Sequence, residues 1–484
     1  MSPYLRLFYN KWKHLLLIVA ITYLCILYLP IFGAQQPLET TDQSHHPLSV
    51  HQQNVQLTGR PEIVVKKSLE EYHGPIILPS KLTNNQGNEK PPESLNDGKF
   101  IFKMDPKGGG EPFYIEDIMT SMNTTLKERL TCKNQQNVKP KILLTWNAGH
   151  GMENLGGCRD WNCMVVNDKS KLNEADAVMI AFDDPNFKRR DSEQYTIYFS
   201  QESPMNAGWH MSQSRDFFNL SLGFRHDTAA ASPYGYTVKL APQSRKSPPL
   251  YDSLLVSKKT KGAAWFVSHC GTNSKRENIV AKLQEYFPVD IYGGCGKLKC
   301  PRNTPCEDTL DTDYHFYIAF ENSICKDYIT EKLWNQGYRR EIIPVVLKRS
   351  IVEPFVPPKS FIAVDDFSSI PELANYLKYL MSNKTAYGEF FNWRSDYRVV
   401  FLNGANHDAL ERPWGFCQVC RLMWESPRQR HIIEDFNQWW GRSCEHDGEL
   451  ARKILTGTVE NEPALGVNNP NLRDRIDSFN KNNP

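Results

Sequence analysis

The run FYIAFENSICKDYITEKLW, Phe316 to Trp334, reads as an apolar strand ending on Glu321 and Asn322, then a short loop and a helix beginning near Thr330. Lys332 falls in the first turn of that helix, where a positive charge opposes the helix dipole. A cation there makes sense if an anion fills the space between strand end and helix start, which is where open α/β sheets bind phosphate groups. A second corner repeats the arrangement. In SHCGTNSKRENIV the strand ends near Cys270, Ser274 and Glu277 have capping-box spacing, and Arg276 lies in the first helical turn. Two such corners could clamp a diphosphate with protein cations alone. The plainer alternatives are an Arg276–Glu277 pair and a solvated Lys332.

Other chemistries are weakly signalled or missing. The chain has no GxxxxGK[ST], no GxGxxG after a strand, no HExxH and no GxSxG, which removes the usual nucleotide-hydrolysis, zinc-protease and serine-hydrolase readings. Asp183-Asp184 and Asp365-Asp366 are carboxylate pairs of the kind that bind Mg²⁺ or Mn²⁺, and Cys417-x-x-Cys420 has redox or zinc spacing without the surrounding motif either use requires. With 57 Lys and Arg against 55 Asp and Glu in 484 residues, the net charge of +2 argues against a nucleic-acid partner.

The elements that must position these residues follow from periodicity. KILLTW, DAVMIAF and YTIYFS read as strands of a first α/β domain; AAWFVSHC, VDIYG, YHFYIAFEN, IIPVVL and FIAVDDF read as strands of a second. Strands alternating with helical stretches imply mostly parallel sheets. Ile279, Val280, Leu283, Tyr286 and Phe287 form the packing stripe of one helix; Ser369 and Pro371 open another with the stripe Leu373, Tyr376, Leu377, Leu380 and Met381.

Leu15 to Phe32 carries no charge and at about 1.5 Å per residue nearly spans a bilayer. Arg6, Lys11 and Lys13 precede it and Glu39 and Asp42 follow, so the positive-inside rule gives a type II anchor with the body in the lumen; a cleaved signal peptide is the competing reading. Gln35 to Pro112, rich in Gln, Asn, Pro, Ser and Gly, is read as a flexible stem, and its His45-His46 pair as solvated linker. Twelve cysteines and sequons at Asn123, Asn219 and Asn383 fit an oxidising secretory compartment. One cysteine, Cys25, lies in the anchor, leaving an odd eleven and hence one unpaired or intermolecular.

FENSICKDYITEKLW followed by IIPVVL resembles the signature of the α1,3-fucosyltransferases of glycosyltransferase family 10, and TNSKRE, QESP and CQVC match in the same order, over about Lys141 to Trp440. The runs WNAGH, SPYGYTVKLAPQSRK, GAAWFVSHC, VEPFVPP and LERPWGFCQVCR are similar to the nematode core α1,3-fucosyltransferases, which modify the N-glycan stem. The resemblance implies a GT-B fold, two Rossmann-like domains facing across a cleft, and GDP-fucose as donor. Together with the apolar run and the stem composition, it divides the chain into a cytosolic tail (1–14), anchor (15–34), stem (35–112), acceptor-side domain (113–257), donor-binding domain (258–400) and C-terminal segment (401–484).

By the same resemblance, Arg276 and Lys332 bind the pyrophosphate, Glu331 lies near the donor's sugars, and Glu321, Asn322 and Tyr328 share the donor pocket. Glu202 in SQESP matches the catalytic base, and Arg225, Asp227 and Tyr234 are further donor-side candidates that could equally be structural. Cys417 and Cys420 would pair with Cys158 and Cys163, while Cys295, Cys300 and Cys306 suggest a local loop bridge. No metal is essential in this reading, though Mg²⁺ or Mn²⁺ could stimulate, and the partners are GDP-fucose, the N-glycans of glycoproteins and the Golgi membrane. The alternatives are a lactosamine or protein acceptor, or a glycan-binding protein that keeps the fold without turnover.

Overall fold

Strands buried on both faces need unbroken apolar runs, and KILLT, AVMI and YTIYFS supply them. The computed structural model describes residues 99–106, 110–149, 152–207, 215–301, 304–404 and 407–456; the expected cytosolic tail, the anchor at Leu15 to Phe32, most of the stem and the last residues of the C-terminal segment lie outside them. Among the described residues no helix is long and apolar enough to cross a membrane. In chain order the strands are β1 (Phe102–Met104), β2 (Phe113–Ile118), β3 (Lys141–Thr145), β4 (Cys163–Val166), β5 (Ala177–Ile180), β6 (Tyr195–Ser200), β7 (Leu220–Gly223), β8 (Gly235–Leu240), β9 (Lys261–Phe266), β10 (Val289–Tyr292), β11 (Tyr314–Ile318), β12 (Ile343–Val346), β13 (Ile362–Ala363) and β14 (Tyr397–Phe401).

The fold is α/β. Two five-stranded parallel sheets have the orders β4-β3-β5-β6-β7 and β10-β9-β11-β12-β13. In both, the first strand in sequence is flanked by the second on one side and the third on the other, so the direction of winding reverses between β3 and β5 and again between β9 and β11. Loops leaving the carboxyl ends of such strand pairs diverge and open a crevice. The alternating side chains of each sheet feed a core on either face, as with Leu143 and Leu144 in the first and Ala263 and Ala264 in the second.

A third sheet, β1-β2-β8-β14, is antiparallel and was not foreseen. It joins β14, from beyond the second parallel sheet, to β8, which precedes it, with Tyr397 opposite Lys239 and Phe401 opposite Gly235. Gly235 is required there because a Cβ would lie 2.6 Å from the Trp334 ring. The stem therefore gives way earlier than residue 112, since Phe102–Met104 is a paired strand and Ile101 and Met104 are buried.

Other expectations are corrected by tertiary contacts. Ser274 and Glu277 do not form a capping box. Ser274 Oγ donates to the Glu321 carbonyl at 2.8 Å, Glu277 accepts from Thr272, and the helix Arg276–Gln284 starts at Lys275, whose backbone is left-handed at φ 53°. Ile279, Val280, Leu283 and Phe287 are buried as expected, but Tyr286 is exposed. The helix Ile370–Ser382 has the foreseen Ser369 cap, its Oγ accepting from Glu372 N. Asn219 is buried, with its amide spent on the Thr196 N–H and the His431 carbonyl, so this sequon has no room for a glycan; Asn123 is exposed and Asn383 half-buried.

The C-terminal segment returns to both halves. The helix Gly415–Met423 packs into the core of the first parallel sheet, and Glu449–Thr456 packs on that of the second. Disulfides Cys158–Cys417 and Cys163–Cys420 fix the first of these contacts. Cys270–Cys295, Cys300–Cys306 and Cys325–Cys444 complete the set, leaving half-buried Cys132 as the free thiol among the described residues.

Candidate active site

The two corners read from the sequence meet. Ser274, after β9, binds the carbonyls of Glu321 and Asn322, after β11, through its hydroxyl and its N–H at 2.8 and 3.0 Å. The Glu321 carboxylate turns back to accept from Thr330 N and Oγ1 at 2.7 and 2.9 Å, capping the turn that leads into Lys332–Gly337. That segment is π-helical, with Tyr338 N–H reaching the Leu333 carbonyl, a wide turn common at functional sites. Lys332 Nζ then lies 3.1 Å from Glu321, 3.2 Å from Glu331 and 2.8 Å from Thr330 Oγ1.

The charges are mutually dependent. Burial raises the Glu321 pKa, with Lys332 working against it. Burial also opposes the Lys332 ammonium, but Glu321 and Glu331 outweigh it and its pKa is raised. For Glu331 burial is again the largest influence, and Lys332 overcomes it so that the carboxyl stays low. Arg276 is placed less simply than its position in the helix suggested. It is 2% exposed, and its guanidinium donates to the Phe320 carbonyl at 2.6 Å and the His269 carbonyl at 2.9 Å, so much of its capacity ties strand ends together. Its Nε and the Asn322 amide oxygen are buried without hydrogen-bond partners.

The first parallel sheet contributes from the end of β6. Glu202 lies two residues past that strand, exposed, and its Oε2 accepts from Tyr328 Oη at 3.1 Å. Tyr234 Oη donates to the Gln201 carbonyl at 2.9 Å, and burial together with Glu331, Glu202 and Glu321 pushes its phenol far up. Glu202, Tyr234, Tyr328, Glu321, Glu331 and Lys332 thus form one cluster assembled from both sheets. Arg225 is the exception. It is buried and bidentate on Asp227 at 2.6 and 3.0 Å, donates to the Trp439 carbonyl and lies over the Trp439 ring, an arrangement that holds the chain together.

The carboxylate pairs are likewise engaged in structure. Asp184 accepts from Trp146 Nε1, and Asp366 is bidentate on Arg349; among the described residues no three His, Cys, Asp or Glu side chains group as a metal site would. A cavity of 830 Å³ opens beside Asp327, but its lysines are paired, Lys326 with Asp227 and Lys348 with Glu445.

Comparison with known proteins sets this cluster in context. Residues 256–439 match the family described as glycosyltransferase family 10 (fucosyltransferase) C-term, and residues 138–235 match the fucosyltransferase N-terminal family. An alpha-(1,3)-fucosyltransferase of Caenorhabditis elegans, fut-1, is 49% identical over 93% of this chain and 98% of its own. The chain belongs to glycosyltransferase family 10. The human 4-galactosyl-N-acetylglucosaminide 3-alpha-L-fucosyltransferase FUT6 is 36% identical over 55% of this chain and 72% of its own. A crystal structure of an alpha1,3-fucosyltransferase with GDP-fucose shares 18% identity at a TM-score of 0.40, covering 64% of this chain and 96% of the other.

This fucosyltransferase holds its halves together through contacts that no local pattern announces. Ser203 Oγ meets Ser323 Oγ at 3.0 Å, and His226 N–H donates to Asp327 at 2.9 Å. Asp327 has left-handed backbone at φ 62°, as Lys275 does in the other corner. Non-glycine residues seldom accept that conformation, so both corners of the enzyme carry local strain upheld by their surroundings. A separate contact did carry a sequence signal, the density of aromatics in FNQWWG, whose Phe436 and Trp440 pack against Tyr198.

Proposed function

We propose that the enzyme transfers L-fucose from GDP-β-L-fucose, with inversion, to O3 of the asparagine-proximal GlcNAc of N-glycans. A β-linked donor and an α-linked product require one in-line displacement, in which a carboxylate takes the acceptor proton while cations stabilise the departing diphosphate. The observation that carries this reading is the meeting of Glu202, from the end of β6, with the Tyr328 corner that also holds Lys332. Glu202 is the base, Lys332 and Arg276 face the diphosphate, and Glu331, Asn322 and Tyr234 line the donor pocket. The two parallel sheets with their carboxyl ends turned to one cluster fit a GT-B arrangement. A type II anchor in the Golgi membrane would present the body to glycoproteins in the lumen, and Mg²⁺ or Mn²⁺ stimulation would act on the donor's phosphates.

The α1,3 linkage is supported by likeness to the nematode alpha-(1,3)-fucosyltransferase over nearly the whole chain, and the core acceptor by the resemblance of runs such as WNAGH and LERPWGFCQVCR to nematode core enzymes. The test is to incubate the full-length enzyme in membranes with GDP-fucose and defined N-glycans, reading linkage by mass spectrometry and NMR. Fucose on O3 of the innermost GlcNAc is expected. Transfer confined to lactosamine antennae would overturn the acceptor, and no transfer to any acceptor would overturn the reaction.

A further inference from the structure

An exposed glutamate on a turn has three side-chain torsions to restrain before it can offer an oxygen in a fixed direction, and base catalysis depends on that direction. Glu202 is such a residue. Its own carbonyl is held by Ser200 Oγ at 3.0 Å, but its carboxylate is held from the opposite half of the molecule, by Tyr328. Tyr328 is itself buried, its ring 4.7 Å from that of Phe224 within the core cluster that contains Tyr198, Phe436 and Trp440.

The loop that delivers Tyr328 is fixed on two sides. Cys325 is bonded to Cys444, flanked by hydrogen bonds from Lys326 N–H to the Ser443 carbonyl at 2.9 Å and from Glu445 N–H to the Ile324 carbonyl at 2.8 Å. Asp327 accepts from His226 N–H in the other half. The charged and titratable groups around the phenol are Glu321, Tyr234, Glu202 and Arg276; burial first, and the first three of these neighbours after it, drive its pKa far up, so the proton stays on Tyr328.

We infer that Tyr328 is a positioning residue for the proton-accepting carboxylate of Glu202, its hydroxyl holding Oε2 so that Oε1 faces the acceptor. This rests on the assignment of Glu202 as base. In the step, the acceptor oxygen forms a bond to the fucose anomeric carbon, the bond from that carbon to the GDP oxygen breaks, and the acceptor proton passes to Glu202. Tyr328 keeps its own proton throughout. This role is separate from the donor-pocket role that the resemblance implies, and the two make different kinetic predictions.

A double-mutant cycle on the full-length enzyme separates them. Tyr328→Phe keeps the ring and its packing and removes the hydroxyl. It should lower kcat about ten- to a hundredfold, the scale of one hydrogen bond to a charged group, with the KM for GDP-fucose and calorimetric GDP affinity unchanged. In a Glu202→Gln background the same substitution should cost nothing further. If the two losses multiply, or if Tyr328→Phe raises KM while sparing kcat, the inference is overturned and Tyr328 serves the donor instead. Near-normal transfer by Glu202→Gln alone would overturn the base assignment and the inference with it. Unchanged melting temperature of Tyr328→Phe checks that the loop has kept its packing.

Discussion

At the scale of single residues, the two cations that looked alike in the sequence are held differently. Lys332 stands among Glu321, Glu331 and Thr330, whereas Arg276 is buried beneath the strand ends. Lys332→Ala should lower kcat/KM for GDP-fucose by about ten- to several-hundredfold, from the loss of a charge-assisted contact. Arg276→Ala should do that and also lower the melting temperature, because the Phe320 and His269 carbonyls lose their donors at about 1–3 kcal/mol each. Equal melting temperatures for Arg276→Ala and wild type would show that those carbonyls find other partners. His226 gives a pH prediction. Fully buried against Phe355, its imidazole is depressed to about 3 by burial, with the Arg129 charge adding to it. A folded pKa below the unfolded 6.5 means that the unfolded chain binds the extra proton, so stability falls as pH drops from about 6.5 toward 3. At pH 5 the penalty is about 2 kcal/mol. His226→Phe should flatten that limb of a melting-temperature profile, and an unchanged slope would place the acid sensitivity elsewhere.

At the scale of elements, the legible parts were those whose signal is local. Strands buried on both faces, such as β5, β6 and β12, are written as continuous apolar runs, and the corners after β9 and β11 were visible from strand ends and helix starts. The capping box failed because its two partners were taken elsewhere, the Ser274 N–H by the Asn322 carbonyl and the Glu277 carboxylate by Thr272. The antiparallel sheet was illegible because its decisive partners, Gly235–Leu240 and Tyr397–Phe401, are far apart in the chain and each is short. The contact between Tyr328 and Glu202 was hidden for the same reason, although each residue was picked out separately. The sheet also moves a boundary. A chain beginning at Lys99 should retain full activity and stability, while one beginning at Glu111 loses β1 and with it the burial of Ile101 and Met104, each worth about 1.5–3 kcal/mol. A thermal melt of the two chains, normalised to activity, decides it; identical midpoints would make β1 an ornament of the stem.

At the scale of the whole molecule, the chain is closed on itself by its last hundred residues. Replacing Cys158 and Cys417 together by serine should cost about 2–5 kcal/mol, read as a lower denaturation midpoint, while reducing turnover per folded molecule little because neither sulfur belongs to the cluster around Glu202. An unchanged midpoint would mean that packing of Gly415–Met423 alone holds the closure. The same closure bears on how the protein is made. Phe416, Val419 and Leu422 complete the core of a sheet whose strands were synthesised some two hundred residues before, and Cys158 waits 259 residues for its partner. At ribosomal speeds of about 5–20 residues per second, that leaves the first half with a missing wall and two unmatched thiols for roughly ten to fifty seconds. During that interval Cys158 and Cys163 lie five residues apart and Cys132 is also at hand, so the nascent chain is open to wrong pairings that the finished enzyme never shows. Its yield in any host should therefore depend on chaperones and disulfide isomerases that hold the first half unfinished until the second has been delivered.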